Sequence, residues 1–302
     1  MWFSNLICYR FKQDVSYQQE DFEKALEQDL FRPCGSQDLT TFGWTKALGK
    51  HGQTLSHFSK NSILVCAKRE EKVLPASVVN EMVQEKVDQL EAQENRRVAK
   101  KEKDELKENV LNMLLPQAFK KSNLQYAFID MENGWVVVNS ASFNKAEELL
   151  ALLRKSLGTL PVVPAFANYD LDVFLTDWLT NFSTPEGFSI GNDAELEEAD
   201  DSGAQVKLKG HDLSCDEVKS HLENGKRVTK LALDWQERVK FMLQNDGSIK
   251  RLSYSETLKE ENADIPKEDM AVKLDADFIL ASEEIKQLLE ELTQGLGDAE
   301  DL

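Results

Sequence analysis

Arg96, Arg97, Lys100, Lys101, Lys103 and Lys107 lie in one short run of the chain. Cations gathered this densely suit one kind of chemistry, the neutralisation of a polyanion such as a phosphate backbone. On a helix turning about 100° per residue, Arg96, Lys100, Lys103 and Lys107 fall in an arc roughly 60° wide. The interleaved acids Glu94, Glu102, Asp104, Glu105 and Glu108 point elsewhere. A second reading is open at this stage. Mixtures of Lys and Glu on exposed helices commonly serve solubility and i,i+4 pairing, worth a few tenths of a kcal/mol per pair. The stripe alone does not choose between them.

Other basic clusters extend the first reading: Lys68, Arg69 and Lys72; Lys120 and Lys121; Lys207 and Lys209; Lys226, Arg227 and Lys230; Lys250 and Arg251. No zinc finger, RNP aromatic motif or helix-turn-helix pattern accompanies them, so they suit backbone contact better than base reading. Phe119 precedes Lys120-Lys121. An aromatic there could stack on or wedge between bases, or could pack beneath its neighbours. Catalysis has less to work with. Cys34 beside Gly35 reads as a turn cysteine, since nothing local marks it as an activated nucleophile. The chain lacks GxxxxGK[ST], GxGxxG after a strand, GxSxG and HExxH. His51, His57, His211 and His221, with Cys8, Cys34, Cys66 and Cys215, match no standard zinc spacing. No catalytic residue, metal site or cofactor is expected.

The elements that must position these residues can be read from punctuation and periodicity. A chain of 302 residues, 41% hydrophobic and 30% charged, is globular, and its net charge of −18 repels nucleic acid everywhere except at a local cationic track. No apolar stretch of about 18 residues occurs, so no membrane span is expected. The opening residues lack a basic n-region and a continuous apolar core, so no signal peptide is expected. The pattern divides into an N-terminal α+β unit (1–75), a long helix with a projecting tip (76–123), a central hairpin with helices (124–190) and a C-terminal α+β unit (191–302). In the second of these, Val79, Val83, Val87 and Leu90 begin an apolar stripe that nearly vanishes afterwards. One continuous helix from Ser77 to Glu108, about 48 Å long, would therefore project its bare second half. Residues 192–202 hold six acids and no base, which reads as an exposed loop or short helix. Asn133-Gly134 and Asp246-Gly247 mark hairpin turns, a terminal helix is expected from Ser282, and the chain ends in an acidic tail.

Several runs resemble one known family. Arg32-Pro33-Cys34-Gly35-Ser36-Gln37-Asp38, Ala67-Lys68-Arg69-Glu70-Glu71-Lys72-Val73-Leu74-Pro75, the segment Leu149 to Gly158, Leu160-Pro161-Val162-Val163-Pro164 and the segment Val228 to Trp235 are similar to RdgC, the recombination-associated proteins. The resemblance spans nearly the whole chain in order. It implies an elongated, horseshoe-like α+β monomer that closes into a ring-shaped homodimer with a basic hole. It further implies a bacterial cytoplasmic, nucleoid-associated protein without enzymatic activity. Such a protein binds DNA with little sequence preference, favours duplex while also accepting single strands, and restrains RecA-promoted strand exchange. On that footing Arg96, Arg97, Lys100 and Lys101 would line the hole and Phe119 would tip a projecting segment. Gln117 and Ser122 depart from a more basic tip, and Gly210-His211 departs from a more positive or amide-rich segment. A competing reading is an interaction protein that contacts RecA or another protein directly, through its acidic surface and terminal helix.

Overall fold

The computed structural model describes residues 1–198, 203–266 and 269–297. One open antiparallel sheet runs through all of it, and its twelve strands follow the order β2-β4-β5-β6-β1-β12-β11-β10-β8-β9, with β3 beside β4 and β7 beside β1. The first half holds β1 (Leu6–Phe11), β2 (Thr40–Thr45), β3 (Ser56–Ser59), β4 (Ser62–Val73), β5 (Phe119–Asp130), β6 (Trp135–Asn139) and β7 (Val162–Pro164). The second half holds β8 (Phe188–Glu198), β9 (Gln205–Leu208), β10 (Lys226–Trp235), β11 (Val239–Gln244) and β12 (Ile249–Tyr254). The halves meet where β1 pairs β12 through Leu6 and Ile249. Helices α1 (Gln19–Glu27), α2 (Ala76–Glu94), α3 (Lys100–Leu114), α4 (Phe143–Leu157), α5 (Leu171–Asn181), α6 (Asp216–Glu223), α7 (Glu256–Glu260) and α8 (Met270–Leu296) complete an α+β fold.

Strand alternation sorts the apolar residues between two cores. Ile7, Tyr9, Ile63, Val65, Ile129, Val136 and Val138 face one side and pack with Ala146, Leu149, Leu150 and Leu153 of α4 and Phe22 and Leu26 of α1. Cys8, Leu64, Phe128, Trp135 and Val137 face the other side, in a core continuous with Leu196, Leu231, Leu233, Phe241 and Leu243 of the second half. That larger core is closed by Leu171, Leu175, Trp178 and Leu179 of α5, Val218 of α6 and Phe278, Ile285, Leu288, Leu289 and Leu292 of α8. Helices thus cover both faces of the first half but one face of the second. The uncovered face of β8–β12 carries two clefts.

Three expectations from the sequence need correction. The single helix from 77 to 108 is instead a hairpin of α2 and α3. Folding back brings Val110, Leu106, Leu111 and Leu114 of α3 onto Val79, Val83 and Val87 of α2 in a satellite core that a straight helix would forgo. The acidic segment 192–202 is no loop as far as residue 198, because its acids alternate with Ala194 and Leu196, which are buried on β8. Residues 199–202, and the acidic tail beyond Gly297, lie outside the described residues. The terminal helix begins at Met270, ahead of Ser282.

Candidate nucleic-acid interface

The helical hairpin is closed by a charged staple. α2 stops because Asn95 adopts a left-handed conformation with φ of 54°, a role Asn fills more readily than most residues. Arg96 then grips both helices, its Nη2 lying 2.6 Å from Glu94 and 2.6 Å from Glu102. A second guanidinium nitrogen donates to Glu102 at 2.8 Å, and the Ala99 amide donates to the same carboxylate at 2.9 Å. The Arg96 hydrogen bond, then the Ala99 amide, hold the Glu102 carboxyl down to about 2. Arg96 therefore leaves the helical stripe to which the uninterrupted spacing assigned it. Lys100, Lys103 and Lys107 keep theirs, spanning an arc of about 60° on α3. Arg97, Lys100, Lys101, Lys103 and Lys107 are all exposed, and among the described residues none of them makes an ion pair.

A second group sits on an arm where β4 and β5 run on together, with β2 along the other edge of β4 as far as Glu71. Beyond the core, Lys68 to Val73 of β4 pairs with Phe119 to Leu124 of β5, whose six residues are all exposed. Phe119 opposes Val73 at the end of this ribbon and is 86% exposed, so it does not pack beneath its neighbours. Phe119 and Lys121 share one face of β5. Lys120, on the other face, is committed: its ammonium lies 3.2 Å from Glu70 and donates to the Cys34 carbonyl at 2.8 Å. Glu70 in turn accepts the Cys34 amide at 2.8 Å, and that hydrogen bond, with Lys120, keeps its carboxyl below the usual range. The Arg32–Asp38 turn is thus pinned to the arm, and Lys120 serves architecture.

The third group lies on the open face of the second half, around a cleft of about 380 Å³. Lys207, Lys209, Lys230, Lys250 and Arg251 line it against Asp193 and Glu195, an excess of three positive charges. A β-bulge makes the last two cations neighbours there. Between Met242↔Lys250 and Lys240↔Ser253 the partner strand advances two residues while β12 advances three, and Arg251 takes a φ of 57°. Both Lys250 and Arg251 consequently reach the cleft while Ile249 and Leu252 stay in the core. Glu195 lies 2.6 Å from Lys230 and 3.7 Å from Lys207, and Asp193 lies 3.5 Å from Arg251. Burial would raise the Glu195 carboxyl, but the Lys230 hydrogen bond and the surrounding cations outweigh it and hold it low. Lys209 and Lys250 make no ion pair among the described residues.

Lys226 and Arg227 do not join this group; Lys226 hydrogen-bonds Glu198, and Arg227 lies 2.8 Å from Asp172 of α5. Fourteen of the residues that the sequence suggests for binding are therefore split. Arg97, Lys100, Lys101, Lys103 and Lys107 stand on or beside α3, Phe119 and Lys121 on the arm, and Lys207, Lys209 and Lys230 in the cleft. Arg96, Lys120, Lys226 and Arg227 stand apart from these groups or face away from them, each in an ion pair. Lys250 and Arg251, one of the basic clusters named from sequence, also line the cleft, whereas Lys240 was not singled out. Lys240, 3.5 Å from Asp234, lines an adjoining cleft of about 430 Å³ that shares Arg251. The Lys250-Arg251 doublet was visible in the sequence, but an alternating strand would have sent its members to opposite faces.

Comparison with known proteins supplies the family. Residues 1–299 match the family described as "Putative exonuclease, RdgC". The chain is 90% identical over 302 residues to the recombination-associated protein RdgC of Pseudoalteromonas translucida (strain TAC 125), covering all of both chains. It is 45% identical over 297 residues to the RdgC of Yersinia enterocolitica and 44% identical to that of Yersinia pestis, covering 98% of each chain in both cases. With the match running along its whole length, the chain belongs to the RdgC family of recombination-associated proteins.

Proposed function

We propose that this protein binds DNA through its sugar–phosphate backbone, with little regard to sequence and mainly as duplex. The observation that carries the reading is the set of exposed cations on and beside α3, Arg97, Lys100, Lys101, Lys103 and Lys107, which have no acidic partner among the described residues, on a chain of net charge −18. Unpaired cations release counterions on meeting phosphate without first breaking an ion pair, so they contribute the salt-dependent part of affinity. Phe119 and Lys121 add a base-stacking tip beside a phosphate contact. Lys209 and Lys250 make the cleft on the open sheet face a third contact. A homodimeric ring would gather these groups around the duplex, leave the acidic surface outside, and hold DNA longer than open contacts could. DNA occupied in this way is withheld from RecA, which gives the protein its restraining role in recombination at the nucleoid.

The test is retention of supercoiled plasmid by purified protein without RecA. Retention supports the reading, and its absence, with retention restored by RecA, points to direct protein contact. The same incubation with end-labelled duplex and Mg²⁺ addresses the family's descriptor. Unshortened ends support binding without cleavage, and progressive shortening would make the protein a nuclease.

A further inference from the structure

We propose that the turn between β9 and α6 is a binding site for a zinc-class divalent metal, held by His211, Cys215 and Glu217. The Nδ1 of His211, the Sγ of Cys215 and a carboxylate oxygen of Glu217 all lie within 4.8 Å of one another. The Cys215 sulfur and His211 Nδ1 are 3.9 Å apart. In a tetrahedral zinc site, bonds of about 2.3 Å to sulfur and about 2.0–2.1 Å to nitrogen would place these atoms about 3.6 Å apart. Closing that gap takes a side-chain adjustment of a few tenths of an ångström.

The donor chemistry is selective. One imidazole, one thiolate and one carboxylate suit zinc and its neighbours in the first transition row, and suit magnesium or calcium poorly. The thiolate and carboxylate together balance the charge of a divalent ion. Cys215 is the N-cap of α6 and Glu217 lies in its first turn, where the helix dipole favours both anions. Binding releases the Cys215 thiol proton, and it requires His211 to carry its proton on Nε2, leaving Nδ1 as the ligand. The contact now 2.9 Å from Nδ1 to the Asp212 carbonyl then gives way to the metal. A fourth position is left to solvent.

The turn is already fixed without an ion. The His211 amide donates to the Asn192 carbonyl at 2.9 Å, and the Gly210 amide donates to Asp193 at 2.8 Å. Asp212 accepts from the Ser214 amide at 2.9 Å and from its hydroxyl at 2.6 Å. Little ordering remains to oppose binding. The spacing of one His, three residues, one Cys, one residue and one Glu matches no standard zinc pattern. It works here because the turn into a short helix brings the three together.

The site has a clean signature. Cys8, Cys34 and Cys66 are buried, so Cys215 is the accessible thiol among the four. Untagged full-length protein titrated with Co²⁺ should develop a near-ultraviolet thiolate-to-cobalt charge-transfer band and visible bands of a four-coordinate ion, saturating at one equivalent per chain. Zn²⁺ should abolish both bands. Cys215→Ser should remove the charge-transfer band; serine is itself a favoured N-cap, so circular dichroism should be unchanged. His211→Asn and Glu217→Gln should each weaken affinity by at least the roughly 10- to 100-fold that losing an outer partner costs a metal site. No charge-transfer band, a band that survives Cys215→Ser, or affinity indifferent to both His211→Asn and Glu217→Gln would overturn the proposal.

Discussion

Arg96 and Lys100 differ by four positions in the chain and by much more in what they can do. Arg96 is shared between Glu94 and Glu102, whereas Lys100 meets no acid among the described residues. The staple makes a pH prediction. The Glu102 carboxyl is depressed from 4.5 to about 2, so its contribution to the hairpin is complete above 4.5 and is lost as pH falls through about 2. A carbon-detected titration of Glu102 should show that low midpoint, and Arg96→Gln should return it toward 4.5. The same substitution should leave the salt dependence of DNA binding nearly unchanged. A large loss of slope would instead make Arg96 a phosphate contact. Glu195 permits the converse experiment. Glu195→Gln removes the counter-charge facing Lys230 and Lys207 and should tighten DNA binding, read as a lower dissociation constant at fixed salt. Weaker binding would exclude the cleft as a contact surface.

At the scale of elements, the helical hairpin and the α8 seam carry the predictions. Asn95 in its left-handed conformation ends α2; Asn95→Val should destabilise the hairpin by about 1–2 kcal/mol while Asn95→Gly should not, measured by urea unfolding. α8 is anchored to the end of β5 by Lys286, buried 3.5 Å from the buried Asp130 and 3.0 Å from Glu283. Removing one partner strands the other charge, so Lys286→Ala should cost about 3–5 kcal/mol, with a substantial part recovered in the Lys286→Met, Asp130→Asn double variant. Hairpin turns were legible from sequence: Asn133-Gly134 falls between β5 and β6, and Asp246-Gly247 between β11 and β12. The break at Asn95 was not, because the amide of Asn95 carries no apolar signal and the run around it is uniformly helix-forming. What breaks the helix is tertiary, the gain from burying Val79, Val83 and Val87 against the returning strip of α3. The alternation that makes 192–198 a strand was masked in the same way, by its charge.

For the molecule as a whole, the decisive quantity is where charge is left unbalanced, not how much there is. A chain at −18 can hold DNA only where acids are locally outnumbered or absent, and the α3 face, the tip of the arm and the cleft are such places. Sequence located most of the cations but could not tell a free lysine from one already engaged. Lys226 and Arg227 looked equivalent to Lys209 until Glu198 and Asp172 arrived from distant elements. The most direct test of the account is the salt dependence of duplex affinity for the wild type and for the Lys100→Gln, Lys103→Gln, Lys107→Gln triple variant. If each lysine neutralises one phosphate, the slope of log affinity against log salt should shrink by about 0.9 per lysine, or about 2.7 in all. A triple variant that keeps the wild-type slope would contradict the claim that the α3 stripe is where this protein meets DNA.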